Sequence, residues 1–326
     1  MARVRMRGRL RSRAAVTMLL LLPWVAVQSA TAPLAQASGS GLQVKFFNYS
    51  PTEVDASGNP IPARVESGSG LTRTPCLTAN ISVFDITSPS SLPPGTCSSD
   101  NVIAHATGYL TVPGKYDATT INMQFRNQSK DGMFVTLTDP TVPIGAPGRT
   151  ITVLSNWTDR NPTTYGPADF SNSDLPVPLL KGISYDIDMW YFHGTSASFL
   201  LRWFWLDPTA ASPQYDIVPA TALTLPTEPR PRADQLPLTV SATPAGIPLP
   251  SQPSATATLT PSGGSGLGAI TFAAAAAPAG GFGPCTVTSV TGVITPSASG
   301  VCYVTATKAD DGVFATLTSD PLRVNV

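Results

Sequence analysis

Apolar and polar positions alternate along much of the chain in short runs separated by turn-forming residues, and a period of two predicts strands. The clearest run is 184–191, where Tyr185, Ile187, Met189 and Tyr191 alternate with Ser184, Asp186, Asp188 and Trp190. That is the pattern of a strand with one buried face. His193-Gly194-Thr195-Ser196 reads as a turn, and a second strand follows with Leu201, Trp203 and Trp205 on one face and Arg202, Phe204 and Leu206 on the other. The two tryptophans either fill the space between sheets or form a ladder for stacking sugar rings; core filling is the commoner role of large aromatics. Helical periodicity is almost absent. Ala273 to Ala277, between Phe272 and Pro278-Ala279-Gly280-Gly281, reads as a strand running into a turn.

With 33 prolines and 26 glycines among 326 residues, and only 12% charged residues, the composition suits many short strands joined by turns. It predicts an all-β chain of β-sandwich domains. The clearest boundary is Thr227-Glu228-Pro229-Arg230-Pro231-Arg232-Ala233-Asp234, whose spaced prolines favour an extended, semi-stiff linker over 227–234. It separates a first sandwich, 38–226, from a second, 235–326, each large enough for its own core.

Residues 1–37 have the layout of a secretory signal peptide: Arg3, Arg5, Arg7, Arg9, Arg11 and Arg13, then an apolar stretch from Ala14 to Val27, then Ala35-Gln36-Ala37 before Ser38. The rival reading, a membrane anchor, is opposed by Pro23 and by an apolar run shorter than a bilayer requires. No cysteine precedes Cys76, which excludes a lipid anchor at the cleavage site, and no second spanning segment follows. The expected product is secreted or surface-associated, without membrane insertion. The signal arginines account for six of the 20 basic residues, leaving 14 against 20 acidic ones and no basic patch. A nucleic-acid partner is therefore not expected.

The four cysteines, Cys76, Cys97, Cys285 and Cys302, read as disulfides in an exported protein. Of three possible connectivities, the local pairs 76–97 and 285–302 are favoured because each falls within one predicted domain. A zinc site is disfavoured by the absence of Cys-x-x-Cys and by only two histidines.

The first domain resembles the protective-antigen ("PA-fourteen") domain, a β-sandwich of toxins, glycosidases and adhesins. The resemblance runs in order through Gly41 to Asn48, Thr107-Gly108-Tyr109-Leu110-Thr111-Val112-Pro113, Lys130-Asp131-Gly132-Met133-Phe134-Val135, Asn156-Trp157, Leu180 to Tyr185, the Leu201-Arg202-Trp203 strand and Ile217 to Leu223. The Ser/Pro-rich stretch between Tyr49 and Val102 departs from it and is expected to form an extra hairpin or flap. In lectin-like members of that family two consecutive aspartates joined by a cis peptide hold a calcium ion that grips sugar hydroxyls. Here Lys130 takes the first position, its ammonium would repel the ion, and the 193–196 turn adds no carboxylate, so no cofactor is expected. Asp131-Gly132 also suits a tight hairpin turn without any ligand. The second domain resembles bacterial immunoglobulin-like repeats through Ala257-Thr258-Leu259-Thr260, Gly263 to Phe272, Cys285 and Cys302 to Asp310. That resemblance implies a sandwich acting as a spacer.

No complete catalytic constellation is present in the sequence, and an enzyme is not expected. Ser265 lacks the final glycine of a nucleophile elbow. His105 and His193 read as exposed or hydrogen-bonded loop histidines, and Asp186 and Asp188 as solvated carboxylates on one strand face. Four N-x-S/T sequons occur, at Asn48, Asn80, Asn127 and Asn156. The function expected is a non-catalytic binding module for glycans or another cell-surface ligand, contacting it through Lys130, Asp131, Gly132, Asn156 and Trp157. The alternative is an architectural envelope or matrix protein.

Overall fold

The computed structural model describes residues 39–67, 73–88, 97–98, 100–157, 171–195, 199–247, 256–277 and 283–326, with backbone alone for 171–175. The expected signal peptide, 1–37, lies outside the described residues. The regular secondary structure of the described residues is nearly all strand, in antiparallel sheets packed as sandwiches.

The larger sheet of the first sandwich runs β2 (Leu77–Ile81), β1 (Leu42–Asn48), β4 (Val102–Thr111), β9 (Ser184–His193), β6 (Met133–Thr138) and β7 (Thr150–Asn156). The short β12 (Leu223–Thr224) pairs with β4 beyond the end of β1. Gly108 lies at this handover, where a Cβ would stand 2.5 Å from the Thr224 carbonyl oxygen. The smaller sheet runs β11 (Tyr215–Ile217), β10 (Leu200–Leu206), β5 (Thr120–Lys130) and β8 (Ser171–Leu180), with β3 (Asp85–Ile86) also on β10.

The core lies where the alternation places it. Tyr185, Ile187, Met189 and Tyr191 of β9 meet Leu201, Trp203 and Trp205 of β10 in one buried cluster. Both tryptophans are therefore interior, and Trp203 stacks on Phe125 with ring centroids 5.9 Å apart. Two expected turns are something else. β5 and β6 lie in different sheets, as do β9 and β10, so Asp131-Gly132 and the stretch after His193 are corners crossing the sandwich, not hairpin turns. The two histidines are not loop residues either: His105 is in the middle of β4 and His193 ends β9.

Within the stretch between Tyr49 and Val102, β2 and β3 join the two sheets, while residues 50–67 form a flap against the outer face of the larger sheet. Its helix α1 (Pro62–Ser67) carries Pro62 at its first position, where the missing N–H costs nothing. Six residues cannot hold a helix alone; Val65, fully buried, anchors it among Phe47, Ile103, Trp190 and Phe192. Trp190 thus sits on the polar face of β9, as its alternation requires, yet is only 8% exposed. Cys76 and Cys97 are bonded, with Cα atoms 5.2 Å apart.

The ends of the first sandwich meet. Gly41 N–H donates to Leu223 O at 3.0 Å, Leu225 N–H donates to Gly39 O at 2.9 Å, and Ser40 bridges Thr224 antiparallel.

The second sandwich has one sheet of β13 (Leu238–Thr243), β14 (Ala257–Gly263), β17 (Val293–Pro296) and β16 (Cys285–Val287), and another of β15 (Ile270–Ala275), β18 (Val301–Lys308) and β19 (Leu317–Thr318), with β20 (Leu322–Asn325) on β18. The alanine run is thus the end of a strand. Cys285 of β16 and Cys302 of β18 are bonded across the two sheets, 17 residues apart in sequence. In the chain-entropy view such a closure contributes about 3 kcal/mol. Replacing both cysteines by serine is expected to lower the denaturant midpoint of the second sandwich accordingly, read against the Cys76/Cys97 double variant.

Residues 227–234 begin in a turn, with the Glu228 N–H donating to Leu225 O at 3.1 Å, and are then tied down at Arg230, Arg232 and Ala233. Arg230 donates to Ser184 O and to Asp186 Oδ1, each at 2.7 Å, with its guanidinium 4.9 Å from the Tyr109 ring centroid. Arg232 pairs with Asp310 at 2.6 Å. Ala233 exchanges backbone hydrogen bonds with Val313 and Ala315, both 2.9 Å. Phe314 of the second sandwich then joins the core cluster of the first, edge-on to Tyr116 with centroids 4.8 Å apart. Burial works against the ionised Asp311 carboxylate, but backbone N–H groups of Leu267, Val313 and Phe314 point at it and hold its pKa below the usual value, shaping the loop that presents Phe314.

Candidate functional site

Lys130, Asp131 and Gly132 form the corner by which the chain leaves the smaller sheet for the larger. Lys130 and Asp131 are each 1% exposed. Asp131 Oδ2 accepts the Gly194 N–H at 2.6 Å and lies 3.6 Å from His193 Nδ1. The Ser129 hydroxyl donates to Asp131 O at 2.9 Å and accepts from the Asn127 amide at 2.7 Å; Tyr191 OH donates to Lys130 O at 2.5 Å. Gly194 O in turn accepts from Asn101 N–H at 3.0 Å. The Asp131 carboxylate therefore stitches the β5–β6 crossing to the β9–β10 crossing, a closed polar network of the kind that fixes a unique packing.

These residues do not fit calcium. The first position of the pair is a buried ammonium carrier, and the neighbouring carboxylate already accepts a backbone N–H, whereas the ion asks for six or more convergent oxygens. The Lys130–Asp131 peptide is also trans; among the described residues only Thr243–Pro244 is cis.

Asn156 ends β7 opposite Met133, next to the corner. Trp157 follows, edge-on to Phe192 at 4.8 Å, its indole N–H donating to Pro60 O at 2.9 Å. The five residues singled out in the sequence are thus neighbours. Two of their side chains have structural work: Asp131 holds the corner to Gly194, and Trp157 fastens the flap through Pro60 O.

The outer face of the larger sheet offers different chemistry. Strand register brings Gln43, Thr107, Asp188, Thr136 and Thr152 directly opposite one another across β1, β4, β9, β6 and β7. With strands about 4.8 Å apart, this polar row spans roughly 19 Å. Asp188 and Thr152 are exposed, Gln43 and Thr107 half-buried, and Thr136 lies at the floor. On one side the next row is Lys45, His105, Trp190 and Phe134, overhung by α1. On the other side it is Tyr109, Asp186 and Thr138, with Arg230 of the linker lying across Tyr109 and Asp186. The row is the floor of a shallow channel between flap and linker.

His105 stands at the flap side of this channel. Nδ1 lies 3.0 Å from Glu66 Oε1 of α1, and Nε2 lies 3.0 Å from Asp188 Oδ1 of β9. Its ring stacks on Trp190 with centroids 3.9 Å apart and planes 8° from parallel. Asp186 and Asp188 are accordingly not free solvated carboxylates: one is paired with Arg230, the other with His105. The run Ala104-His105-Ala106-Thr107 alternates in the sequence, and that signal could have placed His105 and Thr107 on one strand face. Nothing local marks Glu66 as its partner, 39 residues away.

No protein-family model and no curated protein matches this chain. Among solved structures it is similar to an anti-sigma factor domain-containing protein from Clostridium clariflavum, at 12% identity over 88% of this chain and 97% of that one, with a TM-score of 0.37. It is similar also to the PA14 domain of the MpAFP antifreeze protein, at 10% identity over 57% of this chain and 90% of that one, TM-score 0.36. A third is the epithelial adhesin 6 A domain from Candida glabrata, solved in complex with Galb1-3GlcNAc, at 13% identity over 57% of this chain and 86% of that one, TM-score 0.35.

Proposed function

We propose that this chain is an exported, non-catalytic recognition module that binds a glycan along the channel on the outer face of its larger sheet. The observation that carries the reading is the five-residue row Gln43–Thr107–Asp188–Thr136–Thr152. An amide, three hydroxyls and a carboxylate, evenly spaced by strand register, match the alternating donors and acceptors of a polyhydroxylated chain. Recognition there works by hydrogen bonds and not by ring stacking, because the one tryptophan beside the row has its face covered by His105. The Lys130–Gly132 corner and Trp157 contribute by holding the sandwich end and the flap in place.

The test is retention of the protein, residues 38–326, on insoluble polysaccharides and cell walls, with calcium or with chelator. Retention unaffected by chelator is expected. The double variant Thr107→Val, Thr152→Val keeps side-chain shape and strand preference while removing two hydroxyls, each contributing about 1 kcal/mol of hydrogen bonding, so affinity should fall roughly tenfold or more. No retention on any surface, or retention indifferent to that variant, overturns the reading. Complete failure to bind would bring forward an architectural role, which the fastened linker between the two sandwiches favours.

A further inference from the structure

We propose that His105 is a proton-operated latch that holds the inserted flap on the larger sheet and lets go of it as the pH rises. The proposal stands on the geometry of the flap and shares only Asp188 with the glycan reading.

The case begins with hydrogen-bond polarity. Ionised carboxylate oxygens only accept, so a ring with a carboxylate oxygen 3.0 Å from each nitrogen satisfies both only when both nitrogens carry a proton. A neutral imidazole has one N–H; its other nitrogen would turn a lone pair toward an acid oxygen. The two acids belong to different parts of the fold, Glu66 to α1 of the flap and Asp188 to β9 of the sheet, so one charge bridges the moving piece to the fixed one. The ring lies flat on Trp190, an arrangement that favours a cation over the indole face.

The groups that face His105 are few. Glu66 comes from α1 and Asp188 from β9; Lys45 of β1 stands opposite in register, while Arg64 of α1 is exposed. Burial of the ring disfavours its charged form, but the hydrogen bonds and charges of Asp188 and Glu66 outweigh that, and the pKa is held above the ordinary imidazole value. The sign follows. A raised folded-state pKa contributes stability in full below the unfolded value of about 6.5, and that contribution disappears as pH climbs through the folded value. The flap is therefore held in full below about pH 6.5 and loosens as the pH rises through the ring's raised folded-state pKa.

Loosening need not detach the whole segment. Trp157 still holds Pro60 O, and Arg73 still pairs with Glu53 at 2.9 Å. What is freed is α1 at the Glu66 end, over the His105 row.

The experiment is an NMR titration of the His105 ring in the exported chain, alongside amide hydrogen exchange of residues 62–67 corrected for intrinsic rates, from pH 5.5 to 9. In the wild type the ring should titrate above 6.5, and protection of α1 should fall at least threefold across the same midpoint. Glu66→Gln should lower that midpoint. His105→Gln should make α1 protection independent of pH, and the unchanged Cys76–Cys97 region reports that the variant is folded. A ring titrating at or below 6.5, or α1 protection unaltered through the ring's titration, overturns the latch. Both outcomes are read without any ligand, so they leave the glycan reading untouched.

Discussion

Trp203→Ala should destabilise the first sandwich by about 3–5 kcal/mol, the range for emptying a buried indole site, seen as a lowered urea midpoint with the slope unchanged. Trp203 is fully buried. Its backbone N–H donates to Phe84 O and its carbonyl accepts from Val218 N–H, both at 3.0 Å, so the strand cannot shift to close the void. The indole N–H has no hydrogen-bond partner among the described residues. That makes Trp203→Phe informative beside it. Phenylalanine keeps most of the apolar surface and removes the orphan donor, so the two effects oppose and the loss should stay below about 1.5 kcal/mol. Retention on polysaccharide should be unchanged in Trp203→Phe. Weakened binding by the folded Phe variant would reinstate the tryptophan pair as a sugar platform.

Phe314→Ala is expected to act on the relation between the two sandwiches. Phe314 is 4% exposed and packs with Tyr116, Ala233 and Val313 in the cluster that belongs to the first sandwich. Truncating it removes about 3–5 kcal/mol of burial and packing. The ion pair Arg232–Asp310 and the longer, largely exposed Lys115–Asp234 contact at 3.7 Å offer little in compensation. Calorimetry of the variant should resolve two transitions where one coupled transition is expected of the wild type, and small-angle scattering should report a larger radius of gyration. One coupled transition with unchanged scattering would mean that the linker contacts suffice without the aromatic wedge.

The parts of this fold that were legible in the sequence are those set by local periodicity. Residues 185–191 alternate, and Tyr185, Ile187, Met189 and Tyr191, like Leu201, Trp203 and Trp205, lie in the core where the pattern puts them, although Trp190 and Phe204 on the opposite faces are buried too. The cysteine pairs were legible because each is local and lies within one sandwich. What stayed hidden depends on where a strand goes next. Asp131-Gly132 marks a chain reversal whether the following strand pairs with the previous one or crosses to the other sheet, and only the tertiary core decides between them. Trp190 alternates with the polar set; its burial comes from α1, whose six residues carry no periodic signal. The channel row was invisible for the same reason, since it is assembled by register among five strands drawn from residues 43 to 188. Lys130, Asp131, Gly132, Asn156 and Trp157 were picked from a resemblance, which could not say whether their side chains face solvent or each other.

The meeting of Gly39–Gly41 with Leu223–Leu225 has a mechanical consequence. Because the pairing is antiparallel, the chain enters and leaves the first sandwich at the same end of that short ladder. A pull between residue 39 and the second sandwich meets the Arg230 and Phe314 fastenings first and, once these give, loads the few hydrogen bonds of the clasp one after another, as a zipper opens. The clasp is then a sacrificial joint, yielding before the long ladders of β4, β9 and β6.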